Sequence, residues 1–472
     1  MEGVMRRRRA LVVCAAVCLL TCQTNREGAP ARRGEGGRGP SIPRVSKVRP
    51  LVLRLASQDE KQVKAARAEL RSWEGAKALS ASAAIELLRA SAGVFPTDDE
   101  DDIEGGIGTE IIDVVAETPR PEYRPVIEEI FPRLRGPARN AAVNLLSAID
   151  DPAAAESFVR LLRAHAPEMS ELFSLEQLRD HPHHVDVFFP ALLDLTWQPA
   201  IADEAYLTAL EFCDKGLLTK DKMALRARSL LAAYRTERDW LVPRQRPRGV
   251  GWMWTDDYQA HRHTASFLLD LAACLPLSEV ESNLTFALLS FRDPRLMYFA
   301  LTSLLAHGRP LSPAAIATVA ASAETRDLLF DKLKEKDLAE LIPARYRTQA
   351  ALAESNMVAW LAYPTELGRV PDQIELKKVV AVDTDSDDGI LDYYLFRFKT
   401  LPPHWAAKKG WIAGVAGPFV RKDGPNTDAN GGTFSEFERW DARTPDEHLG
   451  SIRELLDDWR KRRKESSSSD DE

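Results

Sequence analysis

Three places in the chain bring together side chains able to do chemistry. His181, His183 and His184 surround Pro182, with Asp186 close behind. Imidazole and carboxylate are ordinary zinc ligands. A zinc site also takes a remote ligand and supporting hydrogen bonds, and this run supplies neither, so solvent-facing loop histidines are the simpler reading. His261 and His263 form a second pair, beside Asp256 and Asp257. On a strand their rings would point the same way, but in a helix they diverge by about 200°. The segment that follows has a helical period, so the pair is not expected to share a metal. The third place is Asp383-x-Asp385-x-Asp387, which begins like a calcium loop. Such a loop needs Gly at its sixth position and Glu at its twelfth. Here those positions hold Asp388 and Tyr394, and Gly389 closes an acidic turn, so a hairpin is expected. The chain has no Gly-x-Ser-x-Gly elbow, phosphate-binding glycine loop, His-Glu-x-x-His or paired Cys-x-x-Cys. No catalytic residue, metal or cofactor is predicted.

A fourth reactive group is a cysteine. Arg6 to Arg9 precede an apolar run from Ala10 to Leu20. A bilayer-spanning helix needs about 20 such residues, and a signal peptide needs fewer. The run ends in Leu19-Leu20-Thr21-Cys22, which resembles the lipobox of bacterial lipoproteins. The family prefers Gly, Ala or Ser where Thr21 stands. The resemblance implies cleavage after residue 21, acylation of Cys22, and an envelope protein held to a membrane by an N-terminal lipid. The alternative is a cytoplasmic protein with an incidental apolar start. Residues 22–46 are rich in Gly, Arg and Pro and carry little apolar surface, so they read as a disordered tether. Cys213 and Cys274 fall in apolar helical segments and read as buried thiols, although outside the cytoplasm they could pair.

The 472 residues carry a formal net charge of −8, unevenly spread. Residues 1–50 hold eleven Lys and Arg against three Asp and Glu, so the remainder is strongly acidic. An acidic body lacks the cationic face that phosphate needs, which excludes a general nucleic-acid binder. The RKRRK run of Arg460 to Lys464 reads instead as cations at the end of an acidic helix.

The elements that position these residues are mostly short helices. Apolar residues recur with the helical template at Ile127, Ile130, Phe131 and Leu134, and again at Ala142, Leu145, Leu146 and Ile149. Phe158, Leu161 and Leu162 follow, and further frames begin at Tyr206, Ala227, Leu268, Leu284, Met297 and Ile316. At Asp151-Pro152 and Asp293-Pro294 an Asp can cap the helix that Pro opens. Paired helices with such a turn resemble HEAT-type repeats, whose hairpins stack into an α-solenoid. The resemblance covers about residues 48–350 and has an irregular period. It implies a mainly α fold, an irregular HEAT-like α-solenoid of stacked helical hairpins over residues 47–355.

Two interruptions stand out. Thr97 to Glu104 reads as an acidic loop. Arg235 to Asp257 breaks the period and holds Trp252 and Trp254, which make either a partner-binding surface or an anchor for the loop. Asn283-Leu284-Thr285 matches a glycosylation sequon inside a helical frame and reads as accidental. Near residue 355 the period changes. Val379–Val382, Ile390–Lys399 and Ile412–Phe419 read as strands, with Tyr394, Phe396 and Phe398 on one face. A small β-containing (α+β) domain is expected at 356–442, a final helix within 443–464 and a disordered tail at 465–472. The run from Asp392 through Pro402-Pro403-His404-Trp405 to Gly417-Pro418 resembles the C-terminal part of uncharacterised bacterial HEAT-repeat proteins, which supports architecture alone.

Three classes of function follow. The first is a lipid-anchored, non-catalytic module that binds another protein. The second is an enzyme on a HEAT-like scaffold, a lyase or metal-dependent hydrolase with an unidentified site. The third is a structural envelope protein without a specific partner.

Overall fold

The structure, a computed structural model, describes residues 45–73, 79–95, 106–169, 184–246, 249–363, 367–383, 389–400, 410–428 and 434–450. The segments expected to hold the signal peptide, Cys22, most of the tether, the acidic run Thr97 to Glu104, His181, His183, Trp405, most of the final helix and the tail lie outside these residues. The described chain forms two compact units, 45–228 and 229–450.

The first unit is helical. It contains α1 (Val45–Leu55), α2 (Glu60–Arg71), α3 (Ala81–Ser91), α4 (Ile107–Ala116), α5 (Arg124–Ile130), α6 (Pro137–Ala148), α7 (Pro152–His165), α8 (Val185–Asp194), α9 (Pro199–Asp214) and α10 (Lys220–Ala224). Each long helix packs on neighbours close in sequence: α1 on α2 and α3, α4 on α3 and α6, α7 on α6 and α8. This follows from the sequence, because each helix carries one apolar stripe that only an adjacent helix can cover. Ile127, Ile130, Phe131, Leu146, Phe158 and Leu162 are all buried. Phe158 meets Phe188 edge-on at 5.1 Å, and Phe189 meets Phe212 at 5.0 Å.

The second unit continues with most of α11 (Ala227–Leu241), then α12 (Asp256–Leu271), α13 (Leu277–Ser290), α14 (Pro294–Ala306), α15 (Pro313–Ala321), α16 (Arg326–Lys334) and α17 (Gln349–Ala362). A four-stranded antiparallel sheet follows, in the order β1 (Gln373–Asp383), β2 (Ile390–Lys399), β3 (Ile412–Val420), β4 (Phe434–Arg439). A mainly helical body followed by a small sheet is the fold class expected. The expected hairpin joins β1 to β2, with Asp383 opposite Ile390, and its turn residues 384–388 lie outside the description.

The interior of this unit is organised around α17. One face, Ala353, Met357 and Leu361, packs on Tyr394, Phe396, Phe398, Ile412 and Phe419 of the sheet. Another face, Val358 and Ala362, packs with Val370, Trp254 and Ala323. Gly414 permits the close approach of β3, since a Cβ there would lie 2.5 Å from Met357 Cε. On the far side of the sheet, Tyr393, Leu395 and Val415 cluster with Leu449. Leu449 belongs to a helix that begins at residue 445. Thr444 and Glu447 open that helix with a capping box: the Glu447 carboxylate accepts the Thr444 N–H at 2.7 Å, and Thr444 Oγ1 accepts the Glu447 N–H at 3.3 Å.

Several expectations change. The aperiodic segment begins after α11, not at Arg235, because Arg235–Leu241 remains helical until Pro243. The remainder folds into two 3-10 turns, Val242–Arg244 and Gly251–Trp254. Strand β1 starts at Gln373, six residues before the apolar run. Its first half carries Glu375, Lys377 and Lys378 and lies at the edge of the sheet, where charged residues are tolerated. Asp293 caps α14, accepting the Arg295 N–H at 3.0 Å, but Asp151 makes no side-chain cap on α7. Asn283 of the sequon is buried in α13. Cys213 and Cys274 are half-buried, and neither forms a disulfide.

Candidate functional site

The His261-Arg262-His263 run lies in α12, as the helical period requires, and the residue between the histidines organises the surroundings. Arg262 is 1 % exposed. Its Nε lies 2.8 Å from Asp293 Oδ2, and its Nη2 lies 2.9 Å from Asp293 Oδ1 and 2.8 Å from Glu324 Oε1. The Tyr363 hydroxyl donates to Glu324 Oε1 at 2.8 Å. The Trp254 ring stands 5.4 Å from the guanidinium. The network therefore joins α12, the start of α14, the residue pair ahead of α16 and the residue after α17. Burial alone would raise the Glu324 carboxyl, but the Arg262 charge and hydrogen bond overcome it and leave the pKa below the ordinary carboxylate range. For Arg262, burial opposes the charged form, and Asp293 and Glu324 more than restore it. A guanidinium locked between two carboxylates cannot act as a base. The arrangement holds helices in register and offers no proton-transfer site.

The histidines named from sequence separate. Nδ1 of His261 lies 2.6 Å from Glu237 Oε2, and its ring stacks on Trp240 at 3.8 Å. His263 meets Phe267 edge-on at 4.5 Å. His184 is buried at the start of α8, with Nε2 3.2 Å from Asp150 Oδ1. Among the described residues no three His, Cys, Asp or Glu side chains gather as a metal-ligand set. Trp252 and Trp254 are half-buried. The Trp252 indole N–H donates to the Gly249 carbonyl at 2.9 Å, and its ring meets Tyr258 at 4.9 Å. Trp254 packs against Tyr363 at 5.7 Å. Both rings thus pack on neighbouring aromatic side chains and remain half-exposed.

A second polar group, half-buried, lies on α16. Asp327 accepts the Leu328 N–H at 2.8 Å, and its own N–H donates to Ser355 Oγ at 3.1 Å. Among the described residues no cation pairs with its carboxyl. Burial pushes that carboxyl up to about 6. Burial also raises Asp331, one turn on, which accepts from Thr427 Oγ1 at 2.7 Å. A folded pKa above the unfolded value of about 4 means the native state holds the proton more tightly. Stability from this group therefore falls as pH rises from about 4 to about 6. Asp327→Asn is expected to stabilise the protein by about 1–2 kcal/mol above that window, and to add nothing below it. Urea midpoints measured across the window check this, and an equal gain at both ends would contradict it.

Exposed apolar side chains contrast with this interior in both units, at Leu289 in the second and at Trp197 and Leu225 in the first. Trp197, between α8 and α9, is 63 % exposed, and Leu225, after α10, is 83 % exposed. Asp194 and Arg226, near them in sequence, form an ion pair at 2.5 Å, and Arg163 reaches the same carboxylate at 3.4 Å. Arg163 also lines an open groove of about 570 Å³ along α7, with Val159, Arg160, Ala164 and Val187. Arg160 is tied to Glu128 at 2.9 Å. Sequence reasoning passed over Trp197 and Leu225, because a Trp in a Thr-Trp-Gln-Pro turn and a Leu between Ala and Arg carry no period. The available signal was an apolar residue in a turn next to a helix-opening Pro or a basic residue. The Arg262 network was also missed, although a cation on an apolar helix frame and an Asp at a helix start both pointed toward it.

No protein-family model, curated protein or solved structure matches the chain.

Proposed function

We propose that the protein is a lipid-anchored envelope protein whose helical body, an irregular HEAT-like α-solenoid, acts as a non-catalytic protein-interaction module. The supporting observation is the contrast between interior and surface. The buried charged groups around Arg262 are matched to one another, and Trp197 and Leu225 stand in solvent, close in sequence to the Asp194–Arg226 ion pair. Exposed Trp and Leu are the residues that an interface buries, and Trp and Arg are enriched at binding hot spots. The partner is another protein, not nucleic acid, given the acidic body. The anchor rests on the lipobox-like Leu19-Leu20-Thr21-Cys22. Among the described residues no helix is long and apolar enough to cross a membrane.

The test combines two variants in the native cell. Cys22→Ala is expected to move the protein out of the salt-washed membrane fraction, where acylated wild type remains. Trp197→Ala with Leu225→Ser is expected to change stability by less than about 0.5 kcal/mol, as exposed sites do, and to lose a protein that copurifies with the wild type. Retention of Cys22→Ala in membranes washed with high salt, which strips charge-based contacts, would overturn the anchor. Unchanged copurification would overturn the binding surface.

A further inference from the structure

We propose that the helical pair α1–α2 forms a contact face for the surface of an anionic phospholipid bilayer. The chain as a whole is acidic, yet these two helices and their turn carry Lys47, Arg49, Arg54, Lys61, Lys64, Arg67 and Arg71 against Asp59, Glu60 and Glu69. The structure divides the cations into two groups. Arg54 is paired with Glu69 at 2.5 Å, and Arg67 and Arg71 both reach Glu110 at 2.6 Å. Lys47, Arg49, Lys61 and Lys64 are exposed and meet no carboxylate among the described residues.

Helix geometry sets the face. In α1, Val48, Leu51 and Leu55 are buried, which turns Arg49, Pro50 and Leu53 outward on the opposite side at helical spacing. Leu53 is 68 % exposed. In α2, Val63, Ala66 and Leu70 are buried, so Lys61 and Lys64 lie on its outer side. No acidic residue occurs in α1. A helix with cations around an exposed leucine suits a headgroup layer: the cations meet phosphate and the leucine enters the acyl boundary. The sequence ahead of α1 continues the same charge, with five Arg against two Glu over residues 23–44. Bilayer and body are thus complementary at the end of the chain that leads to the proposed anchor. The opposed sign elsewhere sets an orientation, because an acidic surface is repelled by anionic lipid.

This deepens the membrane half of the proposed function and rests on it for location, but it makes no use of acylation. The assay therefore takes the chain from residue 22 onward with Cys22→Ser, which carries no lipid. Cosedimentation with phosphatidylglycerol–phosphatidylethanolamine vesicles is compared with phosphatidylcholine vesicles. The expected result is binding to the anionic vesicles alone, weakened by added salt. Lys47→Glu with Arg49→Glu lowers that binding at least tenfold, and Leu53→Ser lowers it as well. The control pair Lys215→Glu with Lys220→Glu makes the same charge change elsewhere and alters binding less than twofold. Equal loss in the control pair, unchanged binding in the α1 variant, or no preference for anionic vesicles would each overturn the proposal. Loss of the acyl anchor in cells with vesicle binding intact would overturn only the role of Cys22.

Discussion

Arg262→Met is expected to destabilise the second unit by about 3–5 kcal/mol at neutral pH, the usual cost of removing one partner from a buried ion network. Asp293 and Glu324 stay in place, buried and negative, with no cation between them. Their remaining polar contacts do not replace it. Asp293 keeps the Arg295 N–H and Glu324 keeps the Tyr363 hydroxyl, and each of those is a single hydrogen bond. The variant also changes the pH dependence. In the wild type the Glu324 pKa is held below the ordinary range, so its contribution is present above the unfolded pKa and is lost as pH falls through the folded one. Without Arg262 the burial that raises the Glu324 carboxyl is no longer offset by the guanidinium, and the sign for that group reverses. The deficit is therefore expected to narrow as pH falls toward about 4. Urea unfolding at neutral and acid pH measures both effects. A loss below about 1 kcal/mol, or one that does not depend on pH, would show that the network does not hold these helices.

Phe396→Ala is expected to cost about 3–5 kcal/mol, the range for emptying a buried aromatic site. Phe396 is 1 % exposed and stands between Tyr394 and Phe398, all three turned to the α17 face of the sheet. The site cannot collapse easily. Met357 already approaches Gly414 closely from one side, and the register of β2 between β1 and β3 fixes the other. The cavity left behind would therefore persist, and cavity volume determines the upper part of the range. Denaturant midpoints, with protease cleavage within the β-strands as a second readout, give the size of the loss. A cost under about 1.5 kcal/mol would mean that the sheet and α17 are not one packed core. The two variants share no side-chain partner, since Phe396 meets the middle of α17 and the Arg262 network meets it only at Tyr363, past its end. Their effects are expected to add to within about 0.5 kcal/mol, as separated sites do.

Helix existence was legible because each helix repeats one apolar stripe. The frames at Ile127, Ala142, Phe158 and Met297 all fall on buried helical faces. The alternation Tyr394, Phe396, Phe398 against Tyr393, Leu395 was legible for the same reason, as both faces of β2 are covered. Strand β4 was not legible. Its segment Phe-Ser-Glu-Phe-Glu-Arg has no run of β-branched residues, and it pairs with β3 through only a few positions. The first half of β1 was hidden by its lysines. Long-range polar contacts were the least legible. Nothing near Arg262 in sequence marks Glu324 or Tyr363 as partners, because the link depends on how α12, α14, α16 and α17 stack. The histidine pair showed the opposite problem. Side chains adjacent in sequence point apart in the fold, and each is committed to a different neighbour.

The proposed binding surface contains Trp197 and Leu225. The most direct test places a photoreactive amino acid at position 225 of the otherwise native chain and irradiates the intact envelope. The account predicts one discrete crosslinked protein, lost when Trp197→Ala is added and retained in Arg262→Lys, which leaves this surface untouched. A pattern of adducts unaffected by Trp197→Ala, or no protein adduct at all from position 225, would contradict it.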